Sequence, residues 1–454
     1  MKLLPTRSCS RLAVSAPRRY DVAKVFASKF AWVSPVWLQL RANSAGSATV
    51  TGTHDIDASW VEAVRKACGR AALAATVAAS AEDDAAAASP TARSPDDAAT
   101  TAATAPDDQR DGPARRRALG AERYPARRPL APCCPRIVPR VVWEAAQLSP
   151  AEMNRSATLL ADLAERRGFD GLVMEMPVLP ETTPWLELLA AELHRRSAPS
   201  GRRLALILVL PPAVADDVAG GGARQAGTPR RSLAALAAAG VDRFSVMTYD
   251  FSSGGRAVGP NAPWPWVRST ARRVIDAVAE GVEASEGFPG SLLEGAEARG
   301  GAGVAGAVAR LRAAMAGGAA GDGGGTAAVG AGGDAAVADE AAEARRGLAR
   351  AEAASRVLVG LAMYGHRSGE GGAPEAITGH TYVDLLREHR PKIQLDRAAR
   401  EHFVRYGGAG RGRGKCFFPS LWSVSQRLRI AAAEGAGVAL WEVGQGLDYW
   451  YDLL

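Results

Sequence analysis

Several apolar runs in this chain end in groups that can do chemistry. Trp143-Glu144 closes RIVPRVVWE, Glu175 sits in GLVMEM, Tyr249-Asp250 closes FSVMTYD, Tyr364 lies in VLVGLAMYG and Trp441-Glu442 lies in GVALWEV. Carboxyl groups can move protons, and a phenol or indole offers an apolar plane with one polar handle. Metal chemistry finds no support. The five cysteines (Cys9, Cys68, Cys133, Cys134, Cys416) lack CxxC or Cys/His spacing, and the six histidines form no HExxH. No cofactor motif stands out either. No strand is followed by GxGxxG, and GRGRGK fails as a phosphate loop, with Ala409 at the first Gly position and Cys416 where Ser or Thr should stand.

The runs themselves say what must position these groups. Val33–Leu40, Arg136–Glu144, Gly171–Met176, Leu204–Leu210, Phe244–Asp250, Val357–Gly365 and Gly437–Val443 read as strands. Between them lie helical patterns. One opens at Ser149, three residues before Glu152, and closes at Gly168, a start-and-stop signature. Repeated strand-then-helix units imply a parallel sheet with helices outside, and polar groups at the strands' C-terminal ends imply an α/β (β/α)8 TIM-barrel. Seven strands are legible, one short of closure.

The chain has 454 residues, 47% of them hydrophobic, enough for a large core. Two segments, 71–130 and 281–351, are low in large apolar residues and read as disordered low-complexity insertions in a barrel domain spanning 20–454. Residues 1–19 form an atypical N-terminus that is basic but lacks a convincing signal-peptide core. The net charge of +7 gathers between Arg110 and Arg140 with a single aromatic, Tyr124, among the arginines, too few for a stacking platform, which argues against a nucleic-acid partner. No apolar stretch is long enough for a membrane span.

SVMTYD (245–250), GPNAPWPWVR (259–268), GLAMYG (360–365) and GVALWEVGQGLDYWYDLL (437–454) resemble the barrel-strand motifs of glycoside hydrolase family 18. YDVAKVFASKF, SPVWLQL and VTGTHDID resemble a narrower chitinase-like group within it. That group begins with a further strand before YDVAKVF. Residues 1–19 stand in its place, so the first barrel strand is apparently missing, which would leave an unpaired edge on Val33–Leu40. The resemblance implies an oligosaccharide ligand, a protein sorting-receptor partner, and secretion or a lysosomal or endomembrane lumen.

It also implies a mechanism, and the chain departs from it. The family's fourth strand reads DGxDxDxE. Its last Glu is the general acid, and the Asp two residues earlier orients the substrate's acetamido group. Laid on Asp170–Pro177, the inward positions become Val173, Glu175 and Pro177. Proline has no proton to give, and Glu175 occupies the orienting position, roughly 6–7 Å short of the acid's place by strand rise. The expectation is a chitinase-like protein that binds N-acetylglucosamine-type oligosaccharide without hydrolysing it. The alternative is an active hydrolase with Glu175 or Glu144 as the acid.

The expected ligand-binding residues are Trp441, Tyr249, Asp250 and Glu175 through that resemblance, with Tyr364, Trp143, Glu144, Trp37 and Glu442 added by their place at or near strand ends and Asn261 by its ability both to donate and to accept, as a sugar hydroxyl needs. Each has a plainer reading beside it. Trp37 and Trp143 could pack helices on the barrel, and Glu144 or Glu175 could be a hydrogen-bonded structural carboxylate. His366 reads as a solvated loop residue. Met174 and Met176 should face the helices.

Overall fold

The computed structural model describes residues 11–15, 20–69, 134–144, 148–215, 227–255, 257–285, 288, 331–368, 373–408 and 411–454. The insertion expected over 71–130 lies outside the described residues, as do Cys9 and Cys133.

Eight strands form one parallel ring. They are β1 (Arg11–Ser15), β2 (Trp32–Ala42), β5 (Arg140–Trp143), β6 (Gly171–Glu175), β7 (Ala205–Leu210), β10 (Arg243–Val246), β11 (Val357–Ala362) and β17 (Gly437–Val443). Shorter pieces fall between them: β3 (Ala48–Thr51), β4 (Arg136–Ile137), β8 (Val214–Ala215) and β9 (Thr228–Pro229). The first barrel strand is therefore present, contrary to the sequence expectation. β1 pairs in parallel with β17 (Leu12 opposite Ala439) and with β2 (Leu12 opposite Trp32), so it closes the ring and leaves no free edge on β2. RLAVS is five residues with an Arg at its head, too short to register as an apolar run.

The strand read over 136–144 is broken in two, with Pro139 between β4 and β5. Proline has no N–H to give the ladder, but its carbonyl still accepts from Val173 N–H at 2.9 Å. Both pieces pair with β2, so the line of the barrel continues across the break. Helices cover the outside: 58–69, Pro150–Arg166, Thr183–His194, Arg230–Ala238, Trp264–Ala284, Ala331–Arg356 and Leu421–Glu434. The Ser149 cap forms as expected, its side chain accepting from Glu152 N–H. The Glu152 carboxylate turns to the neighbouring strand, where its Oε2 accepts from Ala48 N–H on β3 at 2.7 Å. Met174 and Met176 are buried in the layer between strands and helices, as parity requires.

Part of the 281–351 insertion belongs to the fold. Helix Ala331–Arg356 begins inside it, and Ala344, Leu348 and Ala349 are buried. Alanine is the strongest helix former and packs closely without large side chains, so scarcity of large apolar residues was a misleading sign.

A second sheet lies between β11 and β17. It is antiparallel, in the order β13 (Pro374–Ile377), β12 (Gly365–Ser368), β16 (Arg411–Phe417), β15 (Glu401–Gly408) and β14 (Ile393–Asp396), with helix Gly379–His389 beside it. The GRGRGK run lies largely on β16. A disulfide joins Cys68, near the end of helix 58–69, to Cys134 just before β4. It ties together the two ends that flank residues 70–133.

Removing residues 1–15 would leave β2 and β17 as unpaired edges, so the truncated chain should unfold without a cooperative transition and associate with rising concentration. Thermal unfolding with light scattering checks this. A monodisperse, cooperatively unfolding product would contradict the closure.

Candidate functional site

Alternate strand residues fill the barrel's interior. Trp32, Val138, Val173, Ala205, Ile207, Leu358 and Ala439 pack on each other inside the ring, with Val36, Val209 and Trp441 against them. Above this layer, at the C-terminal ends of the strands, lies a cavity of about 200 Å³. Arg140, Glu175, Ser245, Tyr249, Asp250 and Trp441 supply its polar and aromatic lining, and Val173, Val209, Met247, Gly360, Ala439 and Leu440 the rest. Gly360 makes room for the phenol: a Cβ there would stand 2.9 Å from the Tyr249 ring and 2.3 Å from the Val246 carbonyl oxygen.

One interaction organises the cavity floor. Arg140, 7% exposed, forms an ion pair with Glu175 from the neighbouring strand. Its guanidinium also lies 4.1 Å from the centroid of the Trp441 ring, a cation–π contact. Burial pushes the Arg140 pKa down to about 10, while Tyr249 and Glu442 favour its charge. Among the described residues its Nε finds no hydrogen-bond acceptor. Arg140 is hidden in the sequence because it sits in a run that reads as an apolar strand. The available signal was a lone charge at an inward position: β5 alternates, and Val141 faces the helices, so Arg140 faces in.

A second cluster lines the wall. The Tyr364 hydroxyl donates to Asp250 Oδ1. Burial raises the Tyr364 pKa, and that hydrogen bond raises it further. Burial raises Tyr249 as well, so both phenols keep their protons. His366 is 5% exposed rather than a solvated loop residue, with Nε2 3.6 Å from Asp250 Oδ1. Burial lowers its pKa, against the pull of Asp250. Asp250 itself has φ +64°, in the left-handed region that Asp tolerates better than most residues.

That conformation is held from a distance. Asp250 N–H donates to Asn261 Oδ1 at 2.7 Å, and Asn261 Nδ2 donates to the Tyr364 carbonyl at 3.3 Å. Asn261 is 3% exposed, so its amide is spent on the wall and not offered to a ligand. Glu401 on β15 fixes this loop in turn, accepting from Asn261 N–H (2.9 Å) and Ala262 N–H (2.7 Å). Arg427 of helix Leu421–Glu434 pairs with Glu401 at 2.9 Å and donates to the Ala262 and Ala399 carbonyls. Burial pushes Glu401 up and Arg427 down, and each partner opposes the other's shift. Glu401 lies 140 residues from Asn261, and nothing local in the sequence marks the connection.

The remaining expected residues divide clearly. Trp441, Tyr249, Asp250 and Glu175 line the cavity, and Tyr364 stands directly behind Asp250. Glu442 follows Trp441 across a cis peptide and accepts from Gln445 Nε2 at 2.9 Å. Trp37 is 0% exposed and packs on Trp60 and Phe169, so it belongs to the helix–barrel layer. Trp143 packs edge-on against Trp185 of helix Thr183–His194, on the side of β5 opposite Arg140. Glu144 is exposed and paired with Arg41 at 2.6 Å, away from the cavity lining. Pro177 is exposed and follows the end of β6. Among the described residues no group of three or more His, Cys, Asp or Glu could hold a metal ion.

Breaking a buried pair by removing one partner costs about 3–5 kcal/mol. Glu401→Ala, which also strands the Asn261 and Ala262 amides, should lose stability in that range by urea unfolding. A loss under about 1 kcal/mol would contradict the clamp.

No protein-family model matches the chain. Solved structures do match it. A chitinase from Chromobacterium violaceum ATCC 12472 aligns over 98% of this chain and 98% of its own, at 14% identity and a TM-score of 0.54. A family 18 chitinase from Cycas revoluta, solved with allosamidin, aligns over 97% of each chain at 13% identity and a TM-score of 0.53. The spore cortex-lytic enzyme SleL of Bacillus cereus aligns over 99% of this chain and 74% of its own, at 12% identity and a TM-score of 0.54. Likeness at such low identity is a likeness of fold: this chain has the α/β (β/α)8 fold of the family 18 chitinases.

Proposed function

We propose that this protein is a chitinase-like carbohydrate-binding protein that receives an N-acetylglucosamine-type oligosaccharide in the barrel-top cavity and does not hydrolyse it. The supporting observation is the pairing of Glu175. Of the two carboxylates lining the cavity, Glu175 is tied to the Arg140 guanidinium and Asp250 accepts from Tyr364. A leaving oxygen needs a protonated acid within hydrogen-bond reach. The next inward position beyond Glu175 is Pro177, which cannot supply one. Glu144, the other acid weighed for an active hydrolase, is engaged with Arg41 outside the cavity.

Binding is supported by what remains. Trp441 offers an indole plane, and Tyr249 and Ser245 offer hydroxyls beside it. The cavity's 200 Å³ is below the roughly 300–1,000 Å³ of sites for drug-sized ligands. A sugar stacking on the face of Trp441 that Arg140 now covers takes the guanidinium's place, so binding carries a rearrangement of Arg140.

The segments YDVAKVFASKF, SPVWLQL and VTGTHDID extend the reading to the branch resembling chitinase domain-containing protein 1. Secretion or lysosomal delivery, and a sorting-receptor partner, belong to the proposal through that resemblance alone. The Cys68–Cys134 disulfide fits an oxidising compartment. Among the described residues no helix is long and apolar enough to cross a membrane.

Calorimetric titration with a chitin tetrasaccharide should show binding by wild type, weakened at least about tenfold in Trp441→Ala through loss of the stacking plane. Reducing ends should not accumulate on long incubation. Wild-type turnover that vanishes in Glu175→Gln would overturn the non-hydrolytic reading, and a Trp441→Ala variant that binds like wild type would overturn the site.

A further inference from the structure

Among the described residues the charges around the cavity do not balance, and the imbalance bears on which sugar it takes. Two carboxylates, Glu175 and Asp250, line it together with one cation, Arg140. Arg140 also feels a third carboxylate, Glu442. Glu175 is matched by Arg140. Asp250 is matched by no Lys or Arg among the described residues. Its partners are the neutral Tyr364 hydroxyl and His366, which burial holds towards its neutral form. The Asp250 side chain is nevertheless 42% exposed, so it is open to the cavity mouth while one oxygen accepts from Tyr364.

The Trp441 ring shows what kind of group this floor accepts. What lies on its face is a cation, ion-paired with a neighbouring carboxylate. A ligand that carries its own cation keeps that balance. It supplies a partner for Asp250, and it brings a positive charge to an indole that already holds one well. A neutral ligand leaves Asp250 uncompensated in a site that has lost water, and an anionic ligand makes the imbalance worse.

Resting on the saccharide-binding reading above, we propose that this cavity prefers an oligosaccharide of 2-amino sugars with free, protonated amines over its N-acetylated counterpart, with Asp250 receiving the ammonium. The only contest is between that ammonium and an acetyl group. The cavity's apolar wall (Val209, Met247) can pack one methyl. A charge-assisted hydrogen bond is about twice as strong as a neutral one, and here it also relieves an unmatched carboxylate.

The test is calorimetric titration of the full chain with a fully deacetylated glucosamine tetrasaccharide and with the acetylated tetrasaccharide. It is run at about pH 6, where an amine of ordinary basicity, with a pKa of about 7.7–8.0, carries its proton. The deacetylated ligand should bind at least tenfold more tightly, and its advantage should shrink as salt rises. In Asp250→Asn the ratio of the two affinities should fall towards one. Asparagine tolerates the left-handed conformation at this position, and near-ultraviolet circular dichroism confirms that the variant folds. Equal affinities, or tighter binding of the acetylated ligand, overturn the preference and leave the saccharide reading standing. An unchanged ratio in folded Asp250→Asn overturns the assignment to Asp250. Binding of neither tetrasaccharide removes the saccharide reading and this inference with it.

Discussion

The guanidinium of Arg140 lies against Trp441 while holding Glu175, and the rest of the cavity follows from that arrangement. Three strands meet through it: β5 gives the cation, β6 the carboxylate and β17 the indole. A bare carboxylate at the top of an apolar barrel would cost several kcal/mol to bury, and so would a bare guanidinium. Paired, and stacked on an aromatic face, both are tolerated within a layer of Val, Ile and Ala. On the proposed reading, the same pairing takes from Glu175 the freedom an acid needs and covers the plane on which a sugar would rest, so the floor rearranges to receive the ligand.

The wall opposite depends on a different pair. Glu401 and Arg427 belong to the inserted antiparallel sheet and to a barrel helix, and through the Asn261 loop they hold Asp250 in its left-handed turn with Tyr364 behind it. The inserted sheet is thus part of the site although none of its residues lines the main cavity. Barrel closure matters equally. Without β1 between β17 and β2, Trp441 would sit on an edge strand and its position would not be fixed.

Much of this was legible from residue order, for physical reasons that differ by element. β17 matches its reading residue for residue because GVALWEV is an apolar run bounded by glycines. The inward parity of Val173 and Glu175 followed from the two-residue period of a strand. Parity failed to sort the tryptophans, because a Trp looks the same in sequence whether it faces the axis or the helices. On β2 the register also shifts between Val36 and Leu38, so counting along the strand misplaces Trp37. Arg140 was hidden inside an apolar run. Asn261 was read as a ligand group because its amide can serve either a sugar or a loop, and only the distances to Asp250 and Tyr364 decide. The Glu401 clamp joins positions too far apart in the chain for any local pattern to show it.

On the proposed reading no acid stands above the Trp441 floor, and a crystal structure with a chitin tetrasaccharide tests this most directly. The expected result is a sugar ring on the Trp441 indole, Arg140 turned aside, and no carboxyl oxygen within about 3.2 Å of the glycosidic oxygen, the reach a general acid requires. A Glu175 carboxyl at hydrogen-bonding distance from that oxygen would contradict it.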